Sequence, residues 1–186
     1  GRVASAFMGS LTVIITFLIA LNFINPYLAT FSAVLTSIEP SFLGLTKVYG
    51  LDSPTVLLFT LTVYFALKTF REDKSKIRYA ILTYISLGLA ISTRFNNVLL
   101  FILIPLVGLI YQSEIFKKPK LFLFHVLSLF LIPALIFYSL WAWLWFDPIH
   151  RFQDTFGHWT GVSEYFSGKI QLLPPSYYLI VFSAMV

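Results

Sequence analysis

Long apolar runs separated by short polar breaks dominate this chain. A helix needs about 20 apolar residues to cross the hydrocarbon core of a bilayer. Runs over 3–22, 27–47, 54–70, 79–93, 97–112 and 121–145 approach or exceed that length, and a last one over 177–186 is too short to span. The stretch from 79 to 112 exceeds one crossing and carries Arg94, Asn96 and Asn97 near its middle, so it reads as two short helices joined there. Asn25-Pro26 marks a turn before the second run, and Asp52-Ser53-Pro54 reads as an N-cap followed by a first-turn proline. The pattern predicts an all-α integral membrane protein. It is a polytopic helix bundle in one transmembrane domain over 1–186, with about six full transmembrane helices and part of a seventh. A polar and aromatic loop over 146–175 separates the last two runs.

Composition agrees with lipid as the solvent. The chain is 58% hydrophobic and 11% charged, and that charged share is roughly half of what a soluble domain carries. With no cysteine, disulfides and thiolate metal sites are excluded. The net charge of +5 does not point to nucleic acid, because eight of the 13 basic residues fall in or beside two loops between apolar runs. Lys68, Arg71, Lys74, Lys76 and Arg78 form one group, and Lys117, Lys118 and Lys120 the other. Cytoplasmic loops are enriched in Lys and Arg, so both groups belong on one side and an even number of crossings separates them. Two helices joined at 94–97 supply that number. The opposite, outer side then receives 50–53, 94–97 and the loop 146–175. The start at Gly1-Arg2, with neither an initiator Met nor a signal sequence, reads as a position inside a longer protein.

The candidate chemistry gathers on the outer side. A guanidinium at Arg94 suits a lipid-linked phosphate, and the amides of Asn96 and Asn97 can complete the shell; the plainer reading is an arginine snorkelling to the headgroups. Glu39 sits inside the 27–47 run, on the order of 12 Å deep by helical rise, where an ionisable group is usually partnered or functional; the plainer reading is a protonated glutamate facing the bundle, or a helix kinked by Pro40 whose glutamate reaches the interface. Asp52 caps a helix or faces the same region as Arg94. The outer loop offers His158, Glu164 and Tyr165 among other polar and aromatic groups, suited to acid–base work, sugar stacking or an interfacial belt. His125 has no assigned role. No HExxH-type metal spacing, P-loop or GxSxG is found. The residues name no cofactor and leave a divalent cation open.

Taken in order, these features resemble the C-type (GT-C) membrane glycosyltransferases, in the branch with protein O-mannosyltransferases and lipid A aminoarabinose transferases. The resemblance rests on Arg2 to Ala6 with Gly9 and Leu11-Thr12-Val13, on Pro40 to Pro54, on Gly88-Leu89-Ala90 leading to Thr93-Arg94, and on His158, Gly161, Tyr165-Phe166, Gly168, Pro174-Pro175 and Tyr177-Tyr178. It implies transfer of a sugar from a polyprenyl-phosphate donor to a protein, lipid or glycan acceptor at the outer face. The membrane is the cell membrane, or the endoplasmic reticulum in a eukaryote. It also implies that Arg94 holds the donor phosphate, that Asp52 lines the same region and that His158 belongs to the loop above it. The family's catalytic carboxylate would lie upstream of Gly1, so this stretch alone would be inactive. Glu39 departs from the family pattern, and it alone favours the alternative, a polytopic transporter or lipid flippase.

Overall fold

A computed structural model describes residues 2–47, 50–71, 76–111, 119–142, 145–147, 149–151, 163–166 and 169–172. The chain divides into two compact units, Gly1–Leu140 and Trp141–Val186. The first is helical: α1 (Arg2–Ala20), α2 (Pro26–Ile38), α3 (Pro40–Lys47), α4 (Asp52–Arg71), α5 (Lys76–Thr93), a 3-10 turn (Phe95–Leu99), α6 (Leu100–Tyr111) and α7 (Pro119–Leu140).

Three of these, α1, α4 and α7, are long and apolar enough to cross a membrane. The segments Pro26–Ile38, Ile77–Thr93 and Phe95–Tyr111 are apolar and shorter. Large apolar side chains point outward along most helices, with Tyr27 at 87% and Ile102 at 70% exposure. Water would penalise such a surface, whereas hydrocarbon accepts it. Hydroxyls on these helices bond within their own turn, as Thr12 does to the Met8 carbonyl at 2.9 Å and Thr62 to that of Leu58 at 2.7 Å.

Helix α4 is the centre of the unit. It packs against α1, α3, α5 and α6, and α5 in turn packs against α7. The core joins Ala66 and Phe70 of α4, Ala80, Tyr84, Leu87, Ala90 and Ile91 of α5, Leu100 and Ile104 of α6, and Leu129 of α7. Small residues let backbones come close without lipid between them. A methyl on Gly88 would stand 3.0 Å from the Cα of Pro133 and 2.9 Å from the Cβ of Ile136, so α5 and α7 meet at that glycine. Thr69 and Thr83 join their hydroxyls across the α4–α5 seam at 3.2 Å.

Where the sequence reads one helix over 27–47, the chain forms two. Ile38 ends α2, and Glu39 takes an extended conformation, φ −62°, ψ 123°. Pro40 cannot extend a helix through itself, because it lacks the amide hydrogen and disfavours helical geometry in the residue before it. It is well suited to opening a new helix. The Glu39 carboxylate then accepts hydrogen bonds from the backbone N–H groups of Ser41, at 3.1 Å, and Phe42. Glu39 is therefore an exposed cap between two helices, not a carboxylate within a continuous one.

The second unit departs from an all-helical chain. Ser163–Phe166 (β1) and Lys169–Leu172 (β2) pair antiparallel, Ser163 opposite Leu172 and Phe166 opposite Lys169. The sequence carries the signal, because Tyr, Phe and Ile suit strands and Ser167-Gly168 between the two runs is hairpin turn chemistry. The long loop read over 146–175 masks it at the scale of whole helices.

Candidate functional site

The site begins with the way α5 stops. Near the end of a helix the last carbonyls lack intrahelical donors and need others. The carbonyl of Ala90 receives three: the backbone N–H of Arg94 at 3.2 Å, the hydroxyl of Thr93 at 2.7 Å and the side-chain amide of Asn97 at 2.6 Å. Asn97 is buried and reaches back seven residues to do this. The chain leaves the helix at Arg94, which is extended at φ −149°, ψ 129°. Its carbonyl then accepts from the N–H of Asn97 at 3.1 Å, opening the 3-10 turn.

Helix α4 delivers the second member. Asp52 is its first residue, where a carboxylate suits the positive end of the helix dipole. Arg94 Nη2 and Asp52 Oδ1 form an ion pair, with the two side chains 50% and 31% exposed. Behind it, the hydroxyl oxygens of Thr55 and Thr93 lie 3.2 Å apart. The start of α4 and the end of α5 are thus joined twice. An ion pair exposed to this degree contributes only about 0–1 kcal/mol to stability, so its main effects are on charge and orientation. One carboxylate oxygen occupies part of a guanidinium with five N–H donors in a planar fork.

The structure brings together some of the residues that the sequence singles out. Asp52, Arg94 and Asn97 share one end of the bundle, and Asn96 is exposed in the same turn. Among the described residues no ion pair links Glu39 to Arg94, whose carboxylate partner is Asp52. His158 lies outside the described residues. Glu164 and Tyr165 are placed by backbone only, opposite Gln171 and Ile170 in the hairpin. Among the described residues no group of three or more His, Asp or Glu side chains is arranged to hold a metal ion.

Sequence reasoning passed over Thr55, which looks like any threonine in an apolar helix. It also gave no role to His125, whose Nδ1 lies 2.7 Å from the hydroxyl of Tyr84 in the buried core. The signal was available, since a histidine in an apolar helix calls for a polar partner. At the end of the bundle away from Arg94, Arg71 donates to the carbonyl of Asn22, tying the end of α4 to the turn after α1. The basic residues Arg78 and Lys120 open α5 and α7 at that same end.

Apolar helices clad in exposed aliphatic side chains, with charges at their ends, define an integral membrane protein. Residues 1–138 match the family described as dolichyl-phosphate-mannose-protein mannosyltransferase, and the chain belongs to that family. It is accordingly a membrane glycosyltransferase of the GT-C type. Comparison with curated proteins and with solved structures gives no match.

Proposed function

We propose that this chain carries the donor site of a glycosyltransferase that moves a sugar from a polyprenyl-phosphate donor to a protein, lipid or glycan acceptor at the outer face of the membrane. In this reading α1, α4 and α7 cross by their length, and the shorter α2, α5 and α6 complete six crossings along the runs over 3–22, 27–47, 54–70, 79–93, 97–112 and 121–145. The end with Arg71, Arg78 and Lys120 is cytoplasmic, in keeping with the excess of Lys and Arg on that side. The end with Asp52 and Arg94 then faces outward, toward the cell exterior or, in a eukaryote, the lumen of the endoplasmic reticulum.

The observation that carries the reading is the ion pair of Arg94 with Asp52, which fixes a guanidinium at a helix end while leaving half of its surface exposed. A lipid-borne donor keeps its phosphate at the interface, and the acceptor approaches from water, so the site belongs at that boundary. Arg94 binds the phosphate and stabilises the charge that grows on it as the sugar departs. Asn96 supplies a further donor from the exposed turn, and Asn97 holds that turn in place.

The test is transfer by the intact protein in its membrane. Arg94→Ala lowers transfer from a polyprenyl-phosphate sugar by about 10²-fold or more, with membrane insertion unchanged; normal transfer refutes the phosphate assignment.

A further inference from the structure

We propose that Asp52 is a positioning residue that, through Arg94, keeps the spent phosphate from being held more tightly than the donor; this rests on reading Arg94 as the phosphate holder. Transfer breaks the bond between the sugar's anomeric carbon and a phosphate oxygen. It forms a bond from that carbon to the acceptor oxygen, and the acceptor's proton leaves to a general base and then to water. The electron pair of the broken bond stays on the phosphate. A diester carrying one negative charge therefore becomes a monoester carrying about 1.5 to 2 at neutral pH. Net charge is conserved, because the added negative charge matches the released proton.

A lone arginine would bind the product more tightly than the donor, because Coulomb attraction scales with charge. The product would then occupy the site against the next donor. The geometry supplies the remedy. Asp52 touches the guanidinium, and both groups are partly exposed, so an anion arriving from water meets a pair with no net charge. Contacts at Thr55–Thr93 and Asn97–Ala90 hold the two helix ends, so the carboxylate stays beside the cation. Repulsion from Asp52 acts on each anion in proportion to its charge and so falls hardest on the product. Hydrogen bonding from the guanidinium, whose directions do not depend on the second charge, still holds the phosphate in place. Among the described residues, the other charged groups on helices packed against α4 at this end are Arg2 of α1 and Glu39 beside α3, and Lys47 is the last residue of α3.

The experiment compares the inhibition constant of polyprenyl phosphate with the KM of the donor, in the intact protein in its membrane. The donor carries one charge at every pH used, so effects common to both ligands cancel in the ratio. In Asp52→Asn the ratio of product Ki to donor KM falls about fivefold near pH 8, the scale of one added unit-charge interaction across several ångströms of partly solvated medium. Near pH 5.5, where the product largely keeps its second proton, the ratio stays close to wild type. Asp52→Glu restores it. An unchanged ratio at high pH, or an equal fall at both, overturns the inference, since a merely structural role would move both ligands alike.

The unaltered protein gives a measurement that needs no variant. Its ratio stays within about twofold between those pH values, because a neutral pair gains little from the product's second charge. A fivefold tightening of product there overturns the proposal. If Arg94→Ala leaves transfer and donor KM intact, the phosphate reading itself fails. If that variant loses transfer while the Asp52→Asn ratio holds at its wild-type value, only the role of Asp52 fails.

Discussion

Thr55 and Thr93 place their hydroxyl oxygens 3.2 Å apart, one helical turn from the start of α4 and one residue before Arg94. They tie together the two helix ends that carry Asp52 and Arg94. The single Thr55 hydroxyl proton is shared between the Leu51 carbonyl of its own turn, at 2.5 Å, and Thr93 across the seam, so the contact is worth at most the average of about 0.6 kcal/mol for interhelical hydrogen bonds in membranes. Thr55→Val therefore lowers stability by no more than roughly that amount, and its larger effect is on function, as a higher donor KM with membrane insertion retained. Thermal unfolding in detergent and donor titration check the two parts separately.

Gly88 allows α5 and α7 to touch. A methyl there would lie 3.0 Å from the backbone of Pro133, which cannot rotate away as a side chain can. Gly88→Ala costs about 1–3 kcal/mol through overpacking, although alanine is the better helix former by about 1 kcal/mol. A rise in melting temperature would show that α7 yields at little cost.

Tyr84 and His125 form a buried polar pair among Phe70, Phe124 and Leu129. Tyr84→Phe removes the hydroxyl and leaves the imidazole without it, a loss of about 1–3 kcal/mol. Adding His125→Leu removes the orphaned group as well, so the double variant is less destabilised than the sum of the single ones. A double-mutant cycle on unfolding measures this, and additivity would deny the coupling.

Asn96 and Asn97 are neighbours with different tasks. Asn97→Ala takes a donor from the Ala90 carbonyl and costs about 1 kcal/mol, loosening the turn that presents Arg94. Asn96 is exposed, so Asn96→Ala leaves the melting temperature within error and raises the donor KM. The reverse assignment would show as stability lost at Asn96 and not at Asn97.

Much of the fold is legible in the apolar runs, because lipid requires helices and helices require length. The break at Arg94 is legible too, since a cation and two amides interrupt an otherwise apolar stretch. The break at Glu39 is legible only as a kink at Pro40, not as two separate helices. Length alone fits one helix over 27–47, and the decision falls to Pro40 and to a carboxylate that caps Ser41 and Phe42. The paired strands 163–166 and 169–172 escape for a related reason, being four residues each within a polar and aromatic stretch that reads as a loop. At the site, the sequence puts Asp52 and Arg94 on one side of the membrane but not in contact. Their ion pair depends on α4 and α5 packing in register, which no local pattern encodes.

The order of Asp52 and Arg94 along the chain matters for biogenesis. Synthesis lays down the carboxylate first, at the head of α4, and the guanidinium follows at the tail of the very next helix. The cation arrives at an end of the bundle where its anion already stands, and no later segment is needed to neutralise it. Two successive helices thus finish the pair by themselves, before the segments that follow Arg94 are made.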